Sequence, residues 1–297
     1  MFHPSSHDVD LSEEEFRLLR DFIHERFGLF YDEGQRQSLK TRLAGRLASL
    51  DLMSFKDYYH YLRFGPQCAE ELDKMVSHLT NNETYFYREA PQLKVFGEHV
   101  LRSLKERKSE SGDRRLRVLS AGCSTGEEVH TLAMIVYDSG LFFWNWDVSI
   151  FGLDVDHAAL EKARRGLYYH NSFRGLSPAL VEKHFVKQGL GAEVKEPIRK
   201  LVRLRQGNLV EAASYEGFAP LDAVFCRNVL IYFSDAAILR AVQIFYEVLA
   251  PGGYLLLGHA ESLSRITEMF TPIRFQGAMI YQKPQPADAV ASRALAR

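Results

Sequence analysis

Apolar residues recur every three to four positions through much of the first hundred residues, which is the pattern of amphipathic helices. Ser12 with Glu15 three residues later forms a capping box, and Gly28 stands where the C-terminal cap of that helix belongs. A second helix is predicted over about 35–50, and two more precede residue 80. The pattern therefore predicts a small helical bundle.

The pattern changes after residue 115. The run 105–115 has no apolar residue and predicts a solvated turn. Beyond it, short apolar segments alternate with helical periodicity, which predicts an α/β domain with a doubly wound, mostly parallel sheet. The predicted organisation is a helical domain over 1–80, a linker and helix over 81–115, an α/β domain over 116–284 with a small β insertion at about 170–207, and a flexible tail over 285–297.

The composition of the chain narrows the class of protein to which it can belong. The 297 residues carry a formal net charge of -1, so the chain lacks the global positive field of a dedicated nucleic-acid binder. No apolar run reaches the roughly 18 residues that cross a bilayer, and the N-terminus does not resemble a signal peptide. We therefore expect a cytoplasmic protein with no direct membrane insertion. Cys68, Cys123 and Cys226 are expected to be reduced, packed thiols, and no metal site is predicted.

The segment LRVLSAGCSTGEE joins an apolar strand to a helix through Gly122 and Gly126. Such a turn brings backbone N–H groups and a helix N-terminus close to a ligand, which predicts a cofactor site. The glycine spacing is not that of a dinucleotide site, and Glu127 and Glu128 favour a cationic or uncharged ligand over a pyrophosphate. The alternative is an ordinary strand-to-helix turn, which also prefers small residues.

Asp154 ends the next apolar strand, about thirty residues after Gly122. A carboxylate there can accept hydrogen bonds from both hydroxyls of a ribose that lies across the strand ends. The alternative is that Asp154 only caps the helix that begins near His157. Together with the glycine turn, Asp154 indicates a nucleoside ligand.

A third candidate segment is FCRNVLIYF, in which Asn228 closes a strand and Tyr232 follows in the loop. Ligands of open parallel sheets bind at this edge. DNA amino-methyltransferases often have Pro-Pro and an aromatic residue after the Asn or Asp at this point, whereas this chain has Val-Leu-Ile. That difference argues against a nucleic-acid acceptor. The alternative for Tyr232 and its apolar neighbours is simple packing.

Five segments, TNNETYFYRE, SAGCSTGEE, FGLDVD, QGNL and FCRNVLIYF, follow the helical domain in this order. In sequence and spacing, the chain from about Ser12 to Gln282 resembles the CheR-type chemotaxis receptor methyltransferases. The resemblance implies a class I S-adenosylmethionine-dependent fold, Rossmann-like, with a small all-α N-terminal domain. It also implies methyl transfer to receptor glutamates, with γ-methyl esters and S-adenosyl-L-homocysteine as products.

The resemblance also implies site residues. Arg88 and Tyr232 match positions linked to turnover, and Arg88 has the alternative of a salt bridge to Glu89 or another acidic neighbour. Val129 and His130 depart from the Pro-Tyr pair that is common in the family and are expected to alter the first turn of the helix. The implied cofactor contacts are Asn82, Thr84, Arg88, one of Glu127 and Glu128, Asp154, Asn208, Leu209, Arg227 and Asn228.

Lys40, Arg42 and Arg46 give the second helix a predicted basic face. Such a face suits an acidic partner, which the resemblance identifies as the cytoplasmic domains of methyl-accepting chemotaxis receptors. The alternative is a solvated surface with no partner. We expect a monomer. The competing interpretation of the whole chain is a non-catalytic S-adenosylmethionine-binding sensor or scaffold in a signalling array.

Overall fold

The computed structural model describes residues 9–218 and 220–285, so nearly all of the tail predicted over 285–297 lies outside the described residues. The N-terminal helices are α1 (Glu13–Phe27), α2 (Arg36–Ser49), α3 (Phe55–Phe64) and α4 (Cys68–Leu79). The predicted capping box is present at Ser12 and Glu15, and Gly28 ends α1 in the left-handed conformation at φ 75°. The helical prediction for this part is confirmed.

The carboxylate of Glu71 on α4 is buried in the bundle core. Arg46 of α2 donates to both of its oxygens, at 2.8 and 2.6 Å, and Tyr58 of α3 donates its hydroxyl at 2.8 Å. Glu71 and Tyr58 are buried among the aliphatic and aromatic residues of α1 to α4. The ion pair therefore joins three helices from inside the bundle.

The prediction of a turn over 105–115 is wrong for most of these residues. Helix α5 (Ala90–Val95) continues through a π-helical turn (Phe96–Val100) into α6 (Leu101–Ser111), and Gly112 ends it in the left-handed conformation. Residues 105–111 are helical although their sequence is polar. Lys108 in this stretch pairs with the buried carboxylate of Asp222 at 2.9 Å, which attaches the helix to the sheet. The charged side chain of Lys108 is therefore part of the contact between α6 and the sheet.

Within the described residues, seven strands form the main sheet and three form a small antiparallel one. The main sheet has the order β6-β2-β1-β7-β8-β10-β9, with parallel pairing from β6 to β8 and antiparallel pairing of β10 with both neighbours. The bounds are β1 (Arg115–Ala121), β2 (Asp147–Asp154), β6 (Val202–Gln206), β7 (Leu221–Cys226), β8 (Leu249–Leu257), β9 (Thr271–Phe275) and β10 (Ala278–Gln282).

Helices cover both faces of the main sheet, as predicted. Val118 packs on the face of α5, α6 and α7 (Glu127–Ser139), while its neighbour Leu119 packs on the face of α11 (Asp235–Val248). Successive strand residues point to opposite faces, so both faces must be covered for these apolar strands to be buried. Helix α8 (His157–Arg165) follows β2.

The insertion begins and ends earlier than the predicted 170–207. It comprises β3 (Leu167–Tyr168), α9 (Pro178–His184), β4 (Phe185–Gln188), β5 (Gly191–Val194) and α10 (Glu196–Arg199). The basic segment that follows is β6, which pairs with β2 at the edge of the main sheet. Charged side chains are tolerated there because an edge strand is partly solvated.

The helical bundle packs against the α/β domain at the loop after β7. The N–H of Phe30 donates to the carbonyl of Tyr232 at 2.8 Å, beside an isolated bridge between Leu29 and Phe233. His24 of α1 lies 2.7 Å from the hydroxyl of Ser234, which caps α11. The two domains therefore share backbone and side-chain hydrogen bonds.

All three cysteines are free. Cys123 and Cys226 are buried, and burial raises the pKa of both thiols well above the ordinary value. This agrees with packed thiols. Within the described residues, no helix is both long and apolar enough to cross a membrane.

The bundle ion pair generates a stability prediction. Replacing Glu71 by Gln leaves Arg46 without its carboxylate, and we expect the free energy of unfolding to fall by about 3 kcal/mol in chemical denaturation. Glu196→Gln is the control because it removes an exposed pair with Lys200 and is expected to cost less than about 0.5 kcal/mol. Equal losses in the two variants would contradict the role given to Glu71.

Candidate functional site

A deep cleft opens at the carboxyl ends of β1, β2 and β7, where the helical bundle meets the sheet. Its walls come from both domains and from the segment that joins them. This is the edge at which open parallel sheets bind ligands. The residues predicted from the sequence that line the cleft are Asn82, Thr84, Arg88, Glu128, Asp154, Asn208, Leu209, Arg227, Asn228, Tyr232 and Arg42.

The glycine turn after β1 is shaped by close approach of the backbone. Gly122 has φ 80°, and a Cβ atom there would lie 2.5 Å from Cγ2 of Val229. Gly126 has φ 95°, and its Cβ would lie 2.6 Å from Cβ of Ala163. Larger residues would collide at both positions. The turn therefore keeps bare backbone at one wall of the cleft, as the sequence predicts.

Asp154 anchors the turn from the end of β2. Its carboxylate accepts from the N–H of Ser124 at 2.6 Å and from the N–H of Asp156 at 2.9 Å. Burial nevertheless raises the pKa of Asp154 to about 6. The cap of α8 is Asp156, which accepts from the N–H groups of Ala158 and Ala159. The alternative interpretation of Asp154 as only a helix cap is therefore wrong.

Asp156 was not identified as a site residue from the sequence, although it organises one wall of the cleft. It is buried and accepts from the hydroxyl of Ser77 at 2.6 Å and from Nδ2 of Asn82 at 2.7 Å. Oδ1 of Asn82 then accepts from the hydroxyl of Ser124 at 2.9 Å. One carboxylate thus connects the bundle, the linker and the glycine turn.

The two acidic residues after the turn face different surroundings. Glu128 lines the cleft and accepts from the hydroxyl of Ser120 at 2.7 Å and from Arg227 at 3.1 Å. Glu127 lies outside the cleft lining and accepts from the hydroxyls of Thr125 and Ser172. Burial raises the pKa of both carboxyl groups. The geometry therefore favours Glu128 as the ligand-facing acid, a choice that the sequence leaves open.

His130, one of the two departures from the family pattern, also lies outside the cleft lining. It is buried, with Nδ1 2.9 Å from the carbonyl of Gly126 and 3.1 Å from the hydroxyl of Tyr168. Burial lowers the pKa of His130 to about 4, so the ring is neutral at pH 7. This substitution connects the glycine turn to the insertion.

Arg227 and Asn228 are held by a residue that the sequence offered only as a partner of Arg88. Glu89 lies 3.3 Å from Nη2 of Arg227, and accepts from Nδ2 of Asn228 at 3.1 Å and from the N–H of His259 at 3.1 Å. Burial on its own raises the pKa of Glu89, but hydrogen bonds from His259 and Asn228 and the charge of Arg227 lower it to about 2. Glu89 is therefore ionised throughout the physiological range.

Arg88 and Tyr232 lie at the open side of the same cleft. Arg88 donates to the carbonyl of Glu83 at 2.9 Å, and it forms no ion pair with any carboxylate of the described chain. The hydroxyl of Tyr232 accepts from Nδ2 of Asn81 at 3.0 Å, and the side chain is part-exposed. The charge of Arg88 is therefore not neutralised by an ion pair within the described chain. Glu89, its alternative partner, pairs with Arg227 instead.

Asn208 and Leu209 form the wall nearest α1. Nδ2 of Asn208 donates to the carbonyl of Arg26 at 2.6 Å and to Glu211 at 3.2 Å. Both residues are buried and line the cleft. Asn208 therefore shapes this wall and also attaches the bundle to it.

The three basic residues of α2 that the sequence singles out do not form an open cationic face. Arg46 is committed to buried Glu71, and Arg42 donates to the carbonyls of His78 and Leu79 at the end of α4. Lys40 pairs with exposed Asp10 at 3.1 Å. The prediction of an exposed basic face is therefore wrong for these three residues. The helical periodicity places their charges in solvent, but residues elsewhere in the fold pair with them.

The cleft suits S-adenosylmethionine, the cofactor that the sequence resemblance implies. The carboxylates of half-buried Glu128 and buried Asp154 are acceptors of the kind that an ammonium group and ribose hydroxyls require. Nε of Arg227 is buried without a hydrogen-bond partner in the described chain, on a residue that lines the cleft. Gly122 lines the cleft without a side chain, because a Cβ atom there would collide with Val229. Within the described residues, no cluster of His, Cys, Asp and Glu suits a metal ion.

Comparison with known families agrees with this geometry. Residues 82–279 match the family described as CheR methyltransferase, SAM binding domain, and residues 14–80 match CheR methyltransferase, all-alpha domain. The fold and the site are those of an S-adenosylmethionine-dependent methyltransferase of class I with a small all-α N-terminal domain. The chain belongs to the CheR methyltransferase family.

Curated relatives match over nearly the whole chain. A protein named chemotaxis protein methyltransferase 2 from Vibrio cholerae is 35% identical over 279 residues, which cover 93% of this chain and 95% of that protein. The chemotaxis protein methyltransferase of Escherichia coli is 35% identical over 285 residues, covering 91% of each. Chemotaxis protein methyltransferase 2 of Pseudomonas aeruginosa is 32% identical over 273 residues, covering 90% and 92%.

The contrast between Glu128 and Glu127 is testable by calorimetry. We expect Glu128→Gln to weaken S-adenosylmethionine binding about tenfold, because a ligand-facing charge is lost. Glu127→Gln is the matched control and is expected to change the Kd less than about threefold. A larger loss of affinity in the Glu127 variant would reverse the assignment.

The raised pKa of Asp154 predicts that cofactor binding depends on pH. We expect the ionised carboxylate to accept from both ribose hydroxyls, so that below pH 6 binding must first remove the proton. The Kd is therefore expected to be about tenfold larger at pH 5 than at pH 7.5. Asp154→Asn should bind more weakly and with a flatter pH profile, and identical profiles for the two proteins would exclude Asp154 as the titrating group.

Proposed function

We propose that this protein is a protein-glutamate O-methyltransferase, which transfers the methyl group of S-adenosylmethionine to glutamate side chains of chemoreceptors. The products are γ-glutamyl methyl esters and S-adenosylhomocysteine. The observation that carries the proposal is the position of Arg88 and Tyr232, which line the cleft that also contains Asp154 and Glu128. A cation and a phenol at the open side are suited to receiving a carboxylate.

An acceptor glutamate needs no general base. Its ordinary pKa of about 4.3 leaves it ionised several hundred to one at pH 7. S-adenosylmethionine supplies an electrophilic methyl group on a sulfonium centre. Attack by a carboxylate oxygen neutralises charge, so exclusion of water favours the reaction, but burial also raises the pKa of the acceptor. Arg88, which has no carboxylate partner among the described residues, is placed to hold the acceptor in its ionised form.

Tyr232 is proposed to fix the reacting oxygen. Asn81 donates to its hydroxyl oxygen, which leaves the phenolic proton free to donate to an acceptor carboxylate. A hydrogen bond at about 2.7 Å limits the rotation of the carboxylate and aligns it with the methyl group. The carbonyl of Tyr232 is itself held by Phe30 of the helical bundle. Acceptor alignment therefore depends on both domains.

The names of the relatives support a chemoreceptor as the partner. We propose that the acceptor is the helical cytoplasmic domain of a receptor, which this protein meets as a monomer in the cytoplasm. Of the three predicted recognition residues on α2, Lys40 is the one whose partner, Asp10, is largely exposed, so its charge is more readily redirected to an acidic receptor helix than that of Arg42 or Arg46. Arg42 lines the cleft and is proposed to contribute from its rim.

The test is labelled methyl transfer to purified cytoplasmic receptor fragments. We expect base-labile label on glutamate residues of the fragment, and none on a matched fragment with Gln at those positions. Tyr232→Phe should lower kcat about tenfold or more and leave the cofactor Kd within about threefold, because the lost hydrogen bond acts on the acceptor. A variant with unchanged kcat would remove Tyr232 from the mechanism.

The same assay separates the proposal from a scaffold function. Measurable cofactor binding with no label on any fragment would contradict catalysis on receptors. Label that is stable to base would contradict ester formation, because methyl esters hydrolyse readily in base and methylated amines do not.

A further inference from the structure

The loop after β7 is wound around the carboxylate of Glu261, a residue that the sequence did not single out. Glu261 is 8% exposed and follows β8 in the segment GHAE. One oxygen accepts from Gly258 at 2.6 Å and from Asn228 at 2.9 Å. The other accepts from the N–H groups of Val229, Leu230 and Ile231 at 2.9, 2.8 and 3.3 Å.

These five backbone N–H groups have few other hydrogen-bond acceptors within reach. Asn228 has φ 59°, which takes the chain out of the strand, and the 3-10 turn Leu230–Tyr232 is too short to supply acceptors for its own first N–H groups. A buried backbone N–H without a hydrogen-bond partner destabilises the folded protein. Glu261 therefore supplies the acceptors that hold the loop in this conformation.

The loop held by Glu261 carries functional groups at both of its ends. The side chain of Asn228 lines the cleft, and Tyr232 lies at its open side. Glu261 itself is absent from the cleft lining of the described structure and so acts only through the backbone. The packing is close, since a Cβ atom on Gly258 would lie 2.7 Å from Oε2 of Glu261 and 2.9 Å from N of Asn228.

We propose that Glu261 is a positioning residue for methyl transfer, which sets the distance between Tyr232 and the cofactor by fixing the backbone of 228–231. The inference rests on the proposed role of Tyr232. Misplacement of a reacting group by about 1 Å is enough to slow catalysis about 100-fold. Loss of the Glu261 acceptors should therefore affect turnover more strongly than cofactor affinity.

The experiment compares Glu261→Gln with Asp222→Asn. An amide presents one donor in place of an acceptor, so at least two backbone N–H groups lose their partner in the Glu261 variant. Asp222 is a matched control because its carboxylate is 1% exposed and accepts from Arg117 N–H at 2.9 Å, at the amino end of β7 away from the cleft. Both changes exchange a buried carboxylate for an amide.

Four quantities are measured on each full-length protein: thermal unfolding, amide hydrogen exchange over 228–231, cofactor Kd, and kcat with a receptor fragment. For Glu261→Gln we expect exchange at least about tenfold faster at these amides, kcat about 100-fold lower and Kd raised less than about tenfold. For Asp222→Asn we expect comparable thermal destabilisation with loop exchange and kcat per folded molecule unchanged. A purely structural role for Glu261 predicts the same kcat for both variants.

Unchanged exchange over 228–231 in Glu261→Gln, or a kcat equal to that of Asp222→Asn, would overturn the proposal. If Glu261→Gln does not fold, Glu261→Asp keeps both oxygens on a shorter side chain, and we expect the same changes in smaller measure. Full turnover with lost loop protection in that variant would also overturn it. If the wild-type protein methylates no receptor fragment, the proposed function fails, and the exchange data alone decide whether Glu261 holds the loop.

Discussion

Backbone N–H groups at the carboxyl edge of the sheet need acceptors, and buried carboxylates supply them. Each strand that feeds the cleft turns sharply there, so its N–H groups leave the ladder before a helix can use them. Asp154 serves the glycine turn, Asp156 caps α8, and Glu261 serves the loop after β7. A charged oxygen accepts several such hydrogen bonds at once, which explains why these three acids are buried.

The same acids connect the two domains. Asp156 accepts from Ser77 on α4, and the loop held by Glu261 ends at Tyr232, whose carbonyl accepts from Phe30. Asn208 also connects the two domains, because its side-chain amide donates to the carbonyl of Arg26 near the end of α1. The cleft is therefore a product of domain docking, and its walls combine cofactor-side groups of the sheet with groups that approach from the bundle. The walls from the two domains are held by one connected set of hydrogen bonds.

Much of the fold follows from local pattern. The capping box at Ser12, the glycine turn and the alternation of strands and helices each depend on neighbours within a few residues, so the sequence predicts them. The polar part of α6 was predicted as a turn because its stabilising contact, Lys108 with Asp222, joins residues that are distant in the chain. The prediction that Arg46 belongs to a basic recognition face fails for the same reason, since its partner Glu71 lies on another helix.

The sequence by itself determined the class of cofactor and most of the predicted residues that line the cleft, because these residues follow the ends of strands in short, recognisable segments. Only the tertiary structure decided that Glu128 rather than Glu127 faces the cleft, that Arg227 rather than Arg88 pairs with Glu89, and that Glu261 holds the loop of Tyr232. These choices depend on which way a side chain points and on partners far away in the chain. Such information arises only when the strands are brought side by side and their buried polar groups must be satisfied.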